Sequence, residues 1–305
     1  MDLSTRYLGL ELAHPFMPGA SPLTEDLQAV LRLEDAGASA IVMHSLFEED
    51  IIRRDTTPDR YLQQLRCIRQ RVDVPVIASL NGTTSEGWLQ YARMIERAGA
   101  DAIELNFYHV ATDLDETADA VERRVVDIVA VLKESITIPL AVKLSPFYSS
   151  LPNLAKRLDR LGVNGLVLFN RFYQAEIDPA VLDVCPALTL SDSSELPLRL
   201  RWIAILHARV QASLAVSGGV HTGIDAVKAV LAGADAVQTV SALLRHGPRR
   251  LRQLREEFER WADRHEYDSI SQMRGRVSLA HCSDPARFER GNYIRMLQSP
   301  HGGLS

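Results

Sequence analysis

No apolar run in this sequence reaches the roughly 18 residues that a membrane-crossing helix needs. Cysteine is scarce. The three present, Cys67, Cys185 and Cys282, stand far apart and show no metal-ligand spacing. That excludes a disulfide scaffold and points to reduced thiols in a cytoplasmic protein. Positive charge is not in excess either. The 34 Lys and Arg residues face 39 Asp and Glu residues, a formal net charge of −5, which argues against nucleic acid as the main partner. The opening residues, MDLSTRYLGLELAHPF, lack the basic-then-apolar form of a signal peptide. No stretch has the composition of an interdomain linker, so residues 1–305 are expected to form a single domain.

What the chain does have is apolar residues, 46% of the total, enough for a sizeable core. They fall into a rhythm. Short apolar runs follow a Gly-Ala or similar pair at residues 37–42, 99–105, 162–168 and 233–237. Others begin near a proline or after a turn, at 74–80, 138–144 and 214–216, and Phe16–Ala20 makes an eighth. Runs this short and apolar suit strands buried on both faces of a parallel sheet. Helical periodicity fills the spaces, at 23–36, 58–71, 86–98, 117–134, 151–161, 196–210, 223–231 and 249–265. Eight alternating units predict an α/β fold of the (β/α)8 TIM-barrel class over about residues 15–265. A doubly wound open sheet is the alternative, since sequence cannot reveal closure. Polar–apolar alternation in the first 15 residues predicts a hairpin across the barrel bottom. Residues 266–305 form a C-terminal helical extension.

The most informative stretch is Ala212 to Pro248. One strand runs into Ser217-Gly218-Gly219, after which Thr222 can cap a helix. The next strand runs into Ser241, which opens another. Helix starts offer free backbone N–H groups and the positive end of the dipole. Two adjacent starts form a cup for one phosphate, in the place where barrels commonly carry one. The competing reading is a pair of ordinary tight turns.

Barrel chemistry gathers at the C-terminal strand ends. Those ends read Ser21, His44-Ser45, Asn81, Asn106, Lys143, Asn170, Ser217-Gly218-Gly219 and Thr239-Val240-Ser241. Lys143 stands out, because a lysine at the end of an apolar strand must reach water or meet an anion or electron-rich ring. The amides of Asn106 and Asn170 could pair with a heterocycle carrying both N–H and C=O groups.

The segments HPFMPGAS (14–21), AIELN (102–106), LAVKLSP (140–146), LAVSGGV (214–220) and GADAVQTVSALLRHGP (233–248) together resemble the FMN-dependent dihydroorotate dehydrogenases, most closely the soluble class 1 branch and its dihydroorotate dehydrogenase-like relatives. The resemblance covers about residues 1–260. It implies a pyrimidine-biosynthesis type of flavoprotein, with FMN across the barrel mouth and a small-molecule substrate, working as a homodimer. Ala20, Ser21 and Ser45 would touch the flavin, and Lys143 its N1–C2=O edge. Asn106 would serve flavin or substrate, and Asn170 the substrate. Ser217, Gly218, Gly219, Ser241 and Ala242 would hold the phosphate.

Departures from the family pattern bear on the substrate. The family's catalytic Cys or Ser falls on His109, and His44 stands where a flavin-contacting lysine is usual. The segment FEEDIIRRDTTPDRY carries no Asn for orotate. The expected reaction is oxidation of dihydroorotate or a related dihydropyrimidine-like compound, with hydride passing to flavin N5 and a base taking the proton. Histidine is the side chain that ordinarily titrates near neutral pH, which favours His109 as that base, with Tyr108 as the fallback. Two other readings stay open. One is a flavin-free lyase or isomerase that uses Lys143 as a Schiff-base or general-base lysine. The other is a flavin binder without activity.

Overall fold

A computed structural model describes residues 1–48, 58–82, 85–171, 175–186, 188–289 and 293–294. Eight parallel strands form one sheet: β3 (Phe16–Pro18), β4 (Ile41–Phe47), β5 (Val76–Asn81), β6 (Ala102–Asn106), β7 (Leu140–Leu144), β8 (Gly165–Leu168), β11 (Ser213–Ser217) and β12 (Ala236–Thr239). β12 pairs with β3, so the last strand returns to the first. The seam between β3 and β4 is joined at Ser39, whose backbone N–H and hydroxyl both donate to the Phe16 carbonyl, at 3.0 and 2.8 Å. This is a (β/α)8 barrel, with β1 (Thr5–Tyr7) and β2 (Leu10–Leu12) as a small antiparallel hairpin beside it.

Helices alternate with the strands: α1 (Leu27–Asp35), α2 (Pro58–Arg69), α3 (Ser85–Arg97), α4 (Ala118–Ser135), α5 (Leu151–Arg160), α6 (Leu196–Leu206), α7 (Gly223–Ala232), α8 (Ser241–His246) and α9 (Arg249–Arg264), followed by the short α10 (Ile270–Met273). Their starts are chemically defined. Asp26, Thr117 and Thr222 each accept a backbone N–H in the first turn, and Thr222 forms a reciprocal capping box with Asp225.

Strand parity sorts the core into two shells. Outward residues such as Ile103, Val142 and Val216 pack against the helices. Inward residues Met17, Val42, Ile77, Ala102, Ala141, Val167, Ala215 and Ala236 fill the barrel together with Tyr7, Leu8 and Leu12 of the hairpin. The small inward residues leave room for that plug. Leu8 packs against Gly165, where a β-carbon would come within 2.3 Å of its side chain, and its N–H donates to Ser213 Oγ at 3.2 Å.

Some boundaries differ from those read in the sequence. Pro22–Thr24 forms a separate 3-10 turn, and the first helix starts only after the Asp26 cap. The helix expected to reach Val210 ends at Leu206, because Ala208 takes a positive φ of 60°. An antiparallel hairpin, β9 (Ala175–Asp178) with β10 (Asp183–Pro186), interrupts the alternation after β8. Its exposed Ile177 and Val184 oppose each other without a buried face, so no burial pattern announced it. Of the C-terminal tail RGNYIRMLQSPHGGLS, only Tyr293 and Ile294 lie among the described residues. The segment 49–57 also lies outside them, so the absence of an Asn there stays a statement about sequence.

Two outcomes are expected. Leu8→Ala removes a fully buried side chain from the plug. It should lower stability by about 2–5 kcal/mol, read from the urea midpoint at unchanged slope. His14 is buried, its Nδ1 accepts the Phe16 N–H, and burial pushes its pKa down to about 4. The unfolded chain therefore takes up the proton first. Stability should fall as pH drops from about 6.5 to 4, and His14→Gln should make that fall shallower.

Candidate active site

The inward positions turn polar toward the C-terminal strand ends. Glu104, Lys143 and Gln238 come from β6, β7 and β12, and all are buried. Lys143 Nζ donates to Glu104 Oε1 and to Gln238 Oε1, both at 3.1 Å. Gln238 Nε2 donates to the second Glu104 oxygen, closing a three-way ring. Two buried charges are tolerable only with such complete pairing, since each is costly to remove from water. Alongside, Asn106 Nδ2 donates to Ser79 Oγ at 2.6 Å, and Ser79 Oγ pairs with Ser45 Oγ at 2.8 Å. Ser45 reaches this layer through a bulge: the β4–β5 register shifts between Val42 and Ser45, so both face inward.

Above this floor lies a cavity of about 420 Å³, within the range of small-molecule sites. Ala20, Ser21, Ser45, Asn106, Lys143, Asn170, Ser217, Gly218, Gly219 and Ser241 all line it, as does Tyr108. Among the described residues, three that line it carry a buried polar atom with no protein partner: Ser21 Oγ, Asn170 Nδ2 and Thr239 Oγ1. Such atoms are uncommon in folded proteins, and three around one cavity mark a place built for a polar ligand.

The β11–α7 turn makes one wall. Gly218 and Gly219 have φ of +89° and +81°, which a side chain resists. A β-carbon on Gly219 would also lie 2.6 Å from the Leu196 backbone nitrogen. Ser191 ties the wall together: its N–H donates to Ser241 Oγ at 3.1 Å, and its own Oγ is 3.3 Å from His221 Nε2. Ala242 is fully buried inside α8 and does not line the cavity.

His109, the residue favoured in the sequence as base, is directed elsewhere. Its Nε2 lies 3.1 Å from Glu116 Oε2 and 3.1 Å from Arg124 Nη1, on an exposed surface, and the ring does not line the cavity. Its neighbour Tyr108 is the side chain of that loop that does. His44 faces an adjoining pocket that shares Ser21 and Ser45 with the mouth. Its Nδ1 is 3.3 Å from the Thr24 carbonyl oxygen, the ring stands edge-on to Tyr61, and burial pushes its pKa down. A neutral imidazole there does not replace a lysine's charge.

Sequence reasoning missed Glu104, Gln238 and Arg199. Glu104 shares its parity with Asn106, and Gln238 sits mid-strand, so an interior polar position was signalled in both. Arg199 had no such signal, since one more arginine in a helix reads as surface.

The Glu104–Lys143 pair yields a prediction. Removing one partner leaves an uncompensated buried charge, so Glu104→Gln and Lys143→Met should each destabilise by about 3–5 kcal/mol. The double variant should lose less than the sum of the two, measured by denaturant unfolding.

Residues 54–261 match the family model described as dihydroorotate dehydrogenase. The chain is 28% identical to the dihydroorotate dehydrogenase B (NAD(+)) catalytic subunit of Thermoplasma acidophilum, covering 90% of this chain and 98% of the relative. It is 25% identical to the like-named subunit of Methanocaldococcus jannaschii, over 80% of this chain and 88% of the relative. The NAD-dependent dihydropyrimidine dehydrogenase subunit PreA of Escherichia coli K12 is 22% identical, over 90% and 76%. With its barrel, its polar floor and a match across two thirds of its length, the chain belongs to the dihydroorotate dehydrogenase family.

Proposed function

We propose that this protein is an FMN-dependent dehydrogenase that oxidises dihydroorotate or a related dihydropyrimidine-like compound. One observation carries the reading. Around a single cavity, three partnerless buried polar atoms and two positive-φ glycines face the ion-paired Lys143. That set suits a group with a polar ring system at one end and a phosphate at the other. Ala20, Ser21, Ser45, Asn106 and Lys143 would hold the ring, and Ser217, Gly218, Gly219 and Ser241 the phosphate. Ala242 contributes at most its backbone N–H. When bound, the cofactor supplies a hydride acceptor.

The chain's own residues supply the remainder. Lys143 offers a positive donor fixed by Glu104 and Gln238, with no reorganisation needed to meet an electron-rich edge. Asn170 Nδ2 is free to donate to a substrate carbonyl. Loss of hydride from one carbon must be matched by loss of a proton from its neighbour, and Tyr108 is the side chain at the mouth suited to take part in that transfer. His109 would need to leave Glu116 and Arg124 to do so.

The geometry weakens the lyase or isomerase reading. As an ammonium between Glu104 and Gln238, Lys143 has no lone pair to offer a carbonyl. The names of relatives, one a catalytic subunit of an NAD(+) enzyme and one a subunit of an NAD-dependent enzyme, support a partner protein as the route for electrons. Among the described residues no helix is long and apolar enough to cross a membrane. A homodimer remains part of the proposal, with the exposed Ile177, Leu182 and Val184 offering apolar surface.

The purified protein should be yellow, and Gly218→Asp should be colourless because a carboxylate would oppose the phosphate. Flavin at wild-type stoichiometry in that variant would remove the cup from the proposal. With whichever dihydropyrimidine bleaches the flavin, Tyr108→Phe should slow anaerobic reduction by about 10²-fold or more, and His109→Gln should change it little. The opposite ranking would return the proton to His109. A protein that stays yellow with every dihydropyrimidine would be a flavin binder without this activity.

A further inference from the structure

Arg199 is a buried cation that the ordinary requirements of its helix do not explain. It lies on α6 with its side chain 7% exposed, and it lines the mouth cavity. Its Nε donates to the Ser217 carbonyl at 3.1 Å, and Nη1 donates to the Glu195 carbonyl at 2.8 Å. Nη2 is 3.4 Å from Glu195 Oε2. A β-carbon built on Gly218 would lie 3.0 Å from Nη2. The guanidinium therefore lies against the glycine turn of the proposed cup. A leucine at this position would satisfy the packing without burying a charge.

Arg199 does not have a carboxylate to itself. Glu195 is also the partner of Arg171, whose Nη1 lies 2.7 Å from Glu195 Oε1. One carboxylate thus serves two guanidinium groups, while the buried carboxylate at the next helix start, Asp225, is taken up by the His221 and Thr222 N–H groups and the Ser193 hydroxyl. Burial pushes the Arg199 pKa down and Glu195 opposes that, but a guanidinium remains protonated. Backbone N–H dipoles already favour a phosphate ester over a neutral alcohol. A fixed, desolvated cation against the same turn adds to that preference, because Coulomb attraction is weakly screened there.

We propose that Arg199 is the counter-charge of the cup, the residue that makes the site select a phosphate monoester over the corresponding free alcohol. This rests on the phosphate reading of the cup given above, and it assigns the selectivity to a side chain outside the two glycine and serine turns. Arg199 acts from beside the turn as a positioning residue and takes no part in the chemistry.

The test compares FMN with riboflavin, which differ only by the phosphate, on the full chain freed of flavin, with affinities read from quenching of flavin fluorescence. Wild type should prefer FMN strongly. Arg199→Met should cut that preference about tenfold or more while leaving riboflavin affinity nearly unchanged. Arg199→Gln, which keeps a donor for the Ser217 carbonyl, should lose the preference equally and serves if the Met variant does not fold. Arg199→Lys should restore part of it, and FMN binding to wild type should weaken with salt more steeply than binding to either neutral variant. A preference unchanged in both neutral variants overturns the proposal, as does an equal loss of both flavins. A wild type that binds both flavins without preference instead removes the cup reading itself. If wild type binds neither flavin, inorganic phosphate replaces them. Thermal stabilisation of wild type but not of Arg199→Gln then supports the assignment, and equal stabilisation overturns it.

Discussion

The structure depends on one buried ion pair. Glu104 and Lys143 carry opposite charges inside a barrel otherwise filled by Met17, Val42, Ile77, Val167 and several alanines. Neither charge could be there without the other, and the pair would be under-bonded without Gln238, whose amide accepts from the lysine and donates to the carboxylate. The three strands that bring these residues together are held in register by the backbone ladders of the barrel. The floor of the mouth is thereby rigid, and Lys143 points in one direction before any ligand arrives. Below that floor the interior residues are small, which is why Tyr7 and Leu8 can close the bottom of the barrel.

Around the mouth, positive charge is local and supported. Lys143 in the floor is balanced by Glu104, and Arg199 in the wall shares Glu195 with Arg171. The whole chain is net negative, so attraction for an anion at the mouth has to be local, from these groups and from the helix starts beside them. Lys143 and Arg199 are equally buried, and it is their place in the fold that separates them. A cation in the floor can meet developing charge on a ring, and a cation beside the glycine turn can balance an anion there.

Sequence and structure agree on the placement of residues where the signal was local. Ser217-Gly218-Gly219 was readable as a tight turn because two successive positive-φ positions need glycine. Thr222 was readable as a cap because the hydroxyl acts three residues away, on Asp225. Lys143 and Asn106 followed from strand parity and position. His109 is placed away from the cavity for the opposite reason. Its place in the loop matched the base position, but its direction is set by Glu116 at the loop's far end and by Arg124 on α4. Arg199 was invisible for a similar reason, since its burial comes from β11 and the preceding turn closing over α6.

The sequence by itself determined the alternation of strands and helices, the plug hairpin, the turns after the last two strands and the polar character of the strand ends. These depend on periodicity, proline, glycine and capping, whose physical reach is a few residues. Only the tertiary structure decided which polar groups meet. Lys143 and Gln238 are 95 residues apart in the chain, and Glu104 and Gln238 are 134 apart. A charge inside a barrel is stable only when partners from distant strands arrive within hydrogen-bonding distance, and closure of the eight strands is what brings them there.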